Sequence, residues 1–233
     1  MKKSFSVLKS FVPLFITLYY LALTYVKPRY IRNIKQSWAR TILKFIGYEV
    51  HISGSPQAKG PIIYVGTHMS YLDILVLIVS QPDIVFLAKK EVRSWPIIGA
   101  AAHRVGTLFV NRDSKEHRLK IRNEIGEILN QTKSHVVVFP SGTTTLYEEK
   151  TWKKGMFEVA QEFNVPVQLF KISYDPYFES SYVNKDSLLE KMSLQLSLKN
   201  KKAFLSWLDV YTIHNPEIDC EHLRLQIQND NLK

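Results

Sequence analysis

Cysteine is almost missing from this chain. Cys220 stands alone among 233 residues, so no intrachain disulfide can form and no cysteine-based metal centre can be assembled. That usage is compatible with a reducing cytoplasm. No metal is called for elsewhere in the sequence. There is no internal repeat and no low-complexity linker. The G-x-S-x-G elbow of the α/β hydrolases is absent, which weakens any serine as a nucleophile. No nucleic-acid-binding motif is found, and no small-x-small cleavage site follows Leu23, against a cleaved signal peptide. Charge is locally absent too: none occurs between Ser10 and Val26.

The charge that is present leans one way. Lys and Arg number 31 against 21 Asp and Glu, a net +10. Such a balance favours anionic partners: acidic lipid headgroups, phosphorylated substrates, an acidic carrier protein or nucleic acid. Lys2, Lys3 and Lys9 precede the uncharged stretch, and Lys27, Arg29, Arg32, Lys35 and Arg40 follow it. A bilayer span takes about 20 apolar residues. This run fits either a short or tilted span or a helix lying in the interface. The basic residues after it favour the cytoplasmic side for the remainder. The expectation is a membrane-associated helical region over residues 1–47 and one α/β domain over 48–233.

Patterning beyond the stretch alternates between helix and strand. Ile34, Trp38, Ile42 and Phe45 recur at helical spacing, with Gly47 as a stop. Tyr48 to Ile52 alternates as a strand and Ser53 to Pro56 reads as a turn. Further strands are expected at 61–65, 84–88, 107–110, 136–139 and 165–172, and helices at 71–79, 95–102, 114–132 and 155–163. Residues 203–213 suit one or two strands, and 218–228 a terminal helix. This order implies a mixed, largely parallel sheet flanked by helices. In such sheets the ligand crevice lies beyond the carboxyl ends of the strands. His68, Arg112 and Ser141 each fall just past an expected strand end.

Three segments there carry chemistry. In Thr67-His68-Met69-Ser70-Tyr71-Leu72-Asp73, the imidazole and the carboxylate are five apart at a strand-to-helix break. On one continuous helix they would point about 140° apart; a bend lets Asp73 orient His68 as a general base. Ser70 and Asp73 also suit a capping box, so a purely structural cap is open as well. Gly106 to Arg112 ends on a guanidinium suited to gripping phosphate, or one that is merely solvated. Val137 to Thr145 runs a strand into Pro140-Ser141-Gly142-Thr143-Thr144, a hydroxyl-rich turn with backbone N–H groups able to cradle an anion.

Together and in this order, the segments resemble the glycerolipid acyltransferase family that includes 1-acylglycerol-3-phosphate acyltransferases. Its marks are H-x-x-x-x-D, then G-x-x-F-[IV]-x-R, then F-P-E-G-T-R-S, then V-P-[IV]. Here they stand as His68 to Asp73, Gly106 to Arg112, Phe139 to Thr145, and Val165-Pro166-Val167, with Trp152-Lys153-Lys154-Gly155 matching a basic stretch after the third block. The resemblance covers about residues 35 to 175. It implies transfer of a fatty acyl group from a thioester, carried on coenzyme A or on acyl carrier protein, to a hydroxyl of a lysophospholipid or a lysophosphatidic acid-like lipid. It implies no cofactor beyond that co-substrate. His68 would be the base and Asp73 its orienter, with backbone N–H groups near Gly142 steadying the developing oxyanion.

Ser141 stands where the family carries Glu, and Thr144 where it carries Arg. That shifts acceptor binding onto Arg112, Ser141, Gly142, Thr143, Thr144, Lys153 and Lys154. The competing readings are a catalytically altered lipid-binding protein of the same fold, and a thioesterase or lipase pairing Ser141 with His68.

Overall fold

A computed structural model describes residues 11–57, 59–131, 134–147, 150–183 and 187–230. Lys2, Lys3, Lys9 and Thr132 lie outside the described residues. Helix α1 (Val12–Val26) and, after a 3-10 turn, α2 (Ile31–Ile46) precede the sheet. Then follow β1 (Tyr48–Ser53), β2 (Ile63–Gly66), α3 (Leu72–Ser80), β3 (Ile84–Lys89), α4 (Ile98–Arg104), β4 (Leu108–Val110) and α5 (Lys115–Gln131). The chain ends through β5 (His135–Val138), α6 (Gly155–Glu162), β6 (Val167–Asp175), α7 (Tyr177–Ser180), α8 (Leu188–Ser197), β7 (Lys201–Tyr211) and α9 (Pro216–Asp230).

The strands form one sheet in the order β1-β7-β6-β2-β5-β3-β4. Every neighbouring pair is parallel except β6 with β7. The mixed, largely parallel sheet expected from the pattern is therefore present. The one or two strands expected over 203–213 are one, β7, and it starts two residues earlier and ends at Tyr211; Pro166 delays β6 to Val167. The helix expected from Trp95 starts only at Ile98, because Pro96 and a left-handed Ile97 (φ 63°) hold the preceding chain out of helical geometry.

Alternation along the buried strands divides the core into two layers. Tyr64, Phe86, Val137, Phe170 and Ile172 face α2 and α3, where Ile42, Leu43, Leu72 and Val76 pack on them. Ile63, Val65, Val136, Val138 and Leu169 face the other way, onto Ile125 and Leu129 of α5 and Phe157 of α6. A side chain as buried as Leu43 stabilises the fold by about 1.5–3 kcal/mol, which ties α2 to the sheet. Gly47 ends that helix as the spacing predicts. It adopts φ 80°, and its N–H donates to the Leu43 and Lys44 carbonyls, a stop that a side chain would strain.

Helix α1 is held differently. It has 15 residues, and among the described residues no helix is long and apolar enough to cross a membrane. Its inner face is polar in part: Trp38 Nε1 donates to Thr17 Oγ1 (3.0 Å), Tyr20 and Thr41 share a hydrogen bond (2.9 Å), and Arg104 grips the Thr24 carbonyl (2.7 Å). Phe15, Leu18, Tyr19, Tyr25 and Val26 are left exposed.

The strand order creates the crevice. Adjacent β2 and β5 send their connections to opposite faces, β2 into α3 on one side and β5 into α6 on the other. Loops that diverge in this way leave a cleft between them at the carboxyl ends of the strands.

Candidate active site

The first wall of the cleft is the turn from β2 into α3. Asp73 sits in the first turn of α3 and is fully buried. Its Oδ2 accepts from His68 Nδ1 (2.7 Å), from the Met69 N–H (2.7 Å) and from the Ser70 N–H (3.1 Å). Its Oδ1 accepts from the Tyr174 hydroxyl. The chain does bend between His68 and Asp73, as the pairing requires. Ser70 is not the helix cap: Tyr71 occupies that position, and the Ser70 hydroxyl instead donates to the Ser180 carbonyl (2.8 Å). The capping role and the orienting role thus fall on one carboxylate.

A carboxylate at Nδ1 holds that nitrogen as the donor and leaves Nε2 as the free lone pair. His68 Nε2 has no partner among the described residues. The ring lies flat against Phe139, with centroids 4.0 Å apart and planes 16° from parallel. The His68 side chain retains 20% exposure and lines the cleft. The geometry is that of a base with one nitrogen fixed and the other presented.

The second wall is the turn after β5. Gly142 has φ 72°, and its N–H donates to the Phe139 carbonyl (2.9 Å). That amide is occupied, which leaves the N–H groups near Gly142, rather than its own, open as oxyanion donors. The amides of Thr143 and Thr144 have no acceptor among the described residues, and both residues line the cleft. Ser141 is turned away: its hydroxyl donates to the Thr143 carbonyl (3.0 Å) and the residue is not part of the lining. It makes no hydrogen bond with His68, so the constellation needed for a serine hydrolase is missing. The Thr145 N–H donates to the His68 carbonyl (2.7 Å), locking the two walls together.

Cations gather on the far side of this turn. Arg112, just past β4, donates through Nη1 to the Gly142 carbonyl, and the Arg118 guanidinium donates to the Arg112 carbonyl. Lys153 also lines the cleft. Its ammonium pKa is pushed down, first by burial and then by repulsion from Arg112, Lys89 and Arg118. Burial likewise lowers Arg112, with Glu91 working against it. Like charges crowd here without enough acids to balance them, which is the condition of an anion site. Lys154 does not belong to it. Its side chain points outward to a salt bridge with Glu217 (3.0 Å).

Between these walls lies a cavity of about 1280 Å³, above the roughly 300–1,000 Å³ usual for small-ligand pockets. One end is apolar, formed by Pro13 and Leu14 of α1, Trp38 and Ile42 of α2, and Leu75 of α3. The other is rimmed by Lys89, Arg112, Lys115, Arg118 and Lys153.

Of the residues expected at the site, His68, Asp73, Arg112, Gly142, Thr143, Thr144 and Lys153 converge there, and Ser141 and Lys154 do not. Reading the sequence missed Lys89, Arg118, Phe139 and Tyr174. Lys89 ends β3 and was open to recognition as a charge at a strand's carboxyl end. Arg118 lies off the apolar face that Ile121, Ile125 and Leu129 share on its helix, and that position by itself signals no cleft. Tyr174 gave no signal, because its partner is 101 positions away.

Comparison with known proteins agrees with the arrangement. Over 166 residues, 69% of this chain, the sequence is 34% identical to the lyso-ornithine lipid O-acyltransferase of Pseudomonas aeruginosa, covering 63% of that protein. It is 32% identical over 127 residues to the 1-acyl-sn-glycerol-3-phosphate acyltransferase of Saccharomyces cerevisiae, 52% of this chain and 42% of that one. The chain thus spans less than two thirds of the length of these relatives. The crystal structure of the 1-acyl-sn-glycerophosphate acyltransferase PlsC from Thermotoga maritima superimposes with a TM-score of 0.71, covering 100% of this chain and 99% of that one at 17% identity. It shares the fold. The acyltransferase family model matches residues 47–173, more than half of the chain, a stretch that holds His68, Asp73, Arg112, Gly142 and Lys153. On that match, the chain belongs to the acyltransferase family.

Proposed function

We propose that this protein is a membrane-associated O-acyltransferase. It moves a fatty acyl group from an acyl thioester, acyl-CoA or acyl carrier protein, to the hydroxyl of a lysophospholipid or lysophosphatidic acid-like acceptor. The observation that carries this reading is His68: fixed by Asp73 through Nδ1, with Nε2 presented between an apolar chamber and a cationic rim. That placement suits a hydroxyl attached to a long chain and an anionic head.

In the reaction, His68 Nε2 takes the proton of the acceptor hydroxyl as its oxygen attacks the thioester carbon. Asp73 steadies the imidazolium so formed. The carbonyl oxygen becomes an oxyanion, for which the amides of Thr143 and Thr144 are the available donors. The intermediate then expels sulfur, His68 returns the proton to it, and ester and free thiol leave. A thioester needs no prior activation, so no enzyme nucleophile is required, in keeping with the outward-turned Ser141.

The cationic rim supports an acceptor or donor bearing phosphate or carboxylate. With threonine at 144 and the Arg112 guanidinium partly engaged by Gly142, the acceptor's head falls to the clustered charges of Lys89, Arg112, Arg118 and Lys153. Both lyso-ornithine lipid and lysophosphatidic acid meet that description, and relatives named for each occur. The exposed aromatic and aliphatic face of α1, followed by Lys27, Arg29 and Arg32, supports seating in a bilayer interface on the cytoplasmic side.

The test is acyl transfer to a lysolipid panel by purified protein, with both donors, beside His68→Ala. Transfer by the wild type and its loss in the variant are expected; equal activity in both would remove His68 as the base.

A further inference from the structure

We propose that the Tyr174 hydroxyl is a positioning group that fixes the second oxygen of Asp73 and keeps the His68–Asp73 pair from holding a proton too tightly. The inference rests on the reading of His68 as a base. The two oxygens of Asp73 are served unequally. Oδ2 accepts from three donors, the His68 ring and two backbone N–H groups. Oδ1 accepts from Tyr174 alone among the described residues. With Asp73 fully buried, that oxygen has no solvent to turn to.

Tyr174 is itself fixed. It lies on β6 opposite Ala203 of β7, and its ring packs edge-on against Tyr48, centroids 6.0 Å apart at 83°. The Tyr48 hydroxyl is spent on Ser180 Oγ (2.6 Å) and does not compete for Asp73. Burial, followed by the Asp73 charge, raises the Tyr174 pKa well above its ordinary value. The phenol therefore keeps its proton, and it donates that proton to Asp73 Oδ1. The other titratable or charged groups around the pair are Tyr71 at the start of α3, and Lys201 of β7 above the Tyr48 ring. Across the cleft stand Arg112 and Lys153; Phe139, on the β5 side, carries no charge.

The consequence follows from where the charge resides. A donor on Oδ1 draws off part of the carboxylate charge and favours its ionised form. Without it, Asp73 retains a buried, unserved oxygen, and the pair binds a proton more firmly whichever member carries it. His68 then spends more of its time protonated at low pH and cannot act as a base. Tyr174 thus extends the base-competent state toward acid.

Histidine-labelled protein reads this directly by NMR. The chain has 7 histidines, and the His68 signal is the one absent from His68→Ala. In Tyr174→Phe the titration midpoint of that signal should rise by roughly half a pH unit or more. In the control Tyr48→Phe, which leaves Asp73 untouched, it should stay in place. Substituting 3-fluorotyrosine at 174 preserves packing and strengthens the donor, so the midpoint should fall.

Where transfer is measured, the deficit of Tyr174→Phe in kcat should grow as pH falls, with KM unchanged; a purely structural loss would be the same at every pH. An unmoved or oppositely moved midpoint, or a pH-independent deficit, would overturn the proposal. The NMR arm needs no turnover, so failure of the wild type to acylate any lysolipid would count against the proposed function alone.

Discussion

Replacing Asp73 by asparagine separates its charge from its geometry. In a catalytic triad the same exchange turns the histidine into the wrong tautomer and costs about 10⁴ in kcat. Here the surroundings forbid that outcome. The Asp73 Oδ2 position faces two backbone donors, Met69 N–H at 2.7 Å and Ser70 N–H at 3.1 Å, besides the His68 ring. An amide NH₂ placed there would meet two N–H groups, so the side-chain oxygen must occupy it and the NH₂ must turn to Tyr174. The Tyr174 hydroxyl oxygen can accept. His68 Nδ1 then still donates to an oxygen, and Nε2 stays free. What is lost is the carboxylate charge opposite the imidazolium. A charge-assisted bond exceeds a neutral one by about 1–1.5 kcal/mol, or roughly 5- to 13-fold in kcat/KM at 1.36 kcal/mol per decade. The assay is steady-state acyl transfer by Asp73→Asn and His68→Ala side by side, with urea unfolding to show that the asparagine variant retains its stability. A loss as deep as that of His68→Ala would refute the argument that backbone donors pin the tautomer. Wild-type activity would refute the orienting role itself.

Four further outcomes are expected. Asp73→Ala strips the acceptor from two backbone N–H groups and a buried phenol, and should lower unfolding free energy by about 3 kcal/mol or more, read by urea denaturation. Lys153→Met should raise KM for an anionic acceptor with little change in kcat, because it thins the cationic rim without touching His68; an equal fall in kcat would place Lys153 at the reacting atoms. Since burial and three cationic neighbours depress the Lys153 pKa, acceptor affinity should weaken at a lower pH than an ordinary lysine allows, and this dependence should vanish in the methionine variant. Lys35 tests linkage in the core: burial drives its pKa from 10.5 down to about 8, with Asp83 offsetting only part. Between those values the unfolded chain holds a proton that the folded one does not, so stability rises with pH there, by about 3 kcal/mol in all; Lys35→Met should abolish the rise in urea titrations across that range.

The elements most legible in the sequence were those whose own pattern carries the signal. Val136 to Val138 reads as a buried strand from three β-branched residues in a row, and Gly47 marks the end of α2 because only a left-handed residue completes that stop. His68 and Asp73 were legible as a pair because the bend between them lies within seven residues. What could not be read depends on contacts distant in the chain. Nothing near Tyr174 announces that its hydroxyl meets Asp73, and nothing near Gly142 reveals that its N–H returns to Phe139. Arg118 was hidden for a related reason. Helical periodicity assigns it to a polar face, and a polar face is solvated unless another element brings a cleft against it. Lys154 failed in the opposite sense: one residue further along the turn than Lys153, it is rotated out toward Glu217.

The site's chemistry is bound to the sheet's connectivity more than to any single loop. β2 and β5 are neighbours, yet their following helices lie on opposite faces, so the loops carrying His68 and Gly142 must part at the strand ends. One loop then opens toward α2 and α3, whose inward side chains are largely apolar, and the other toward the start of α5, whose first turns are basic. A long-chain substrate with a charged end is matched by that asymmetry before any specific contact is made. The base sits where the two environments meet along the β2 wall. The residues on either side are taken up by the fold: Thr67 Oγ1 accepts from the Ile172 N–H (2.9 Å), and Met69 is buried in the core. The carboxylate that orients the ring comes from the next helix, where the same oxygen also accepts the Met69 and Ser70 N–H groups and so ties the loop to the helix start.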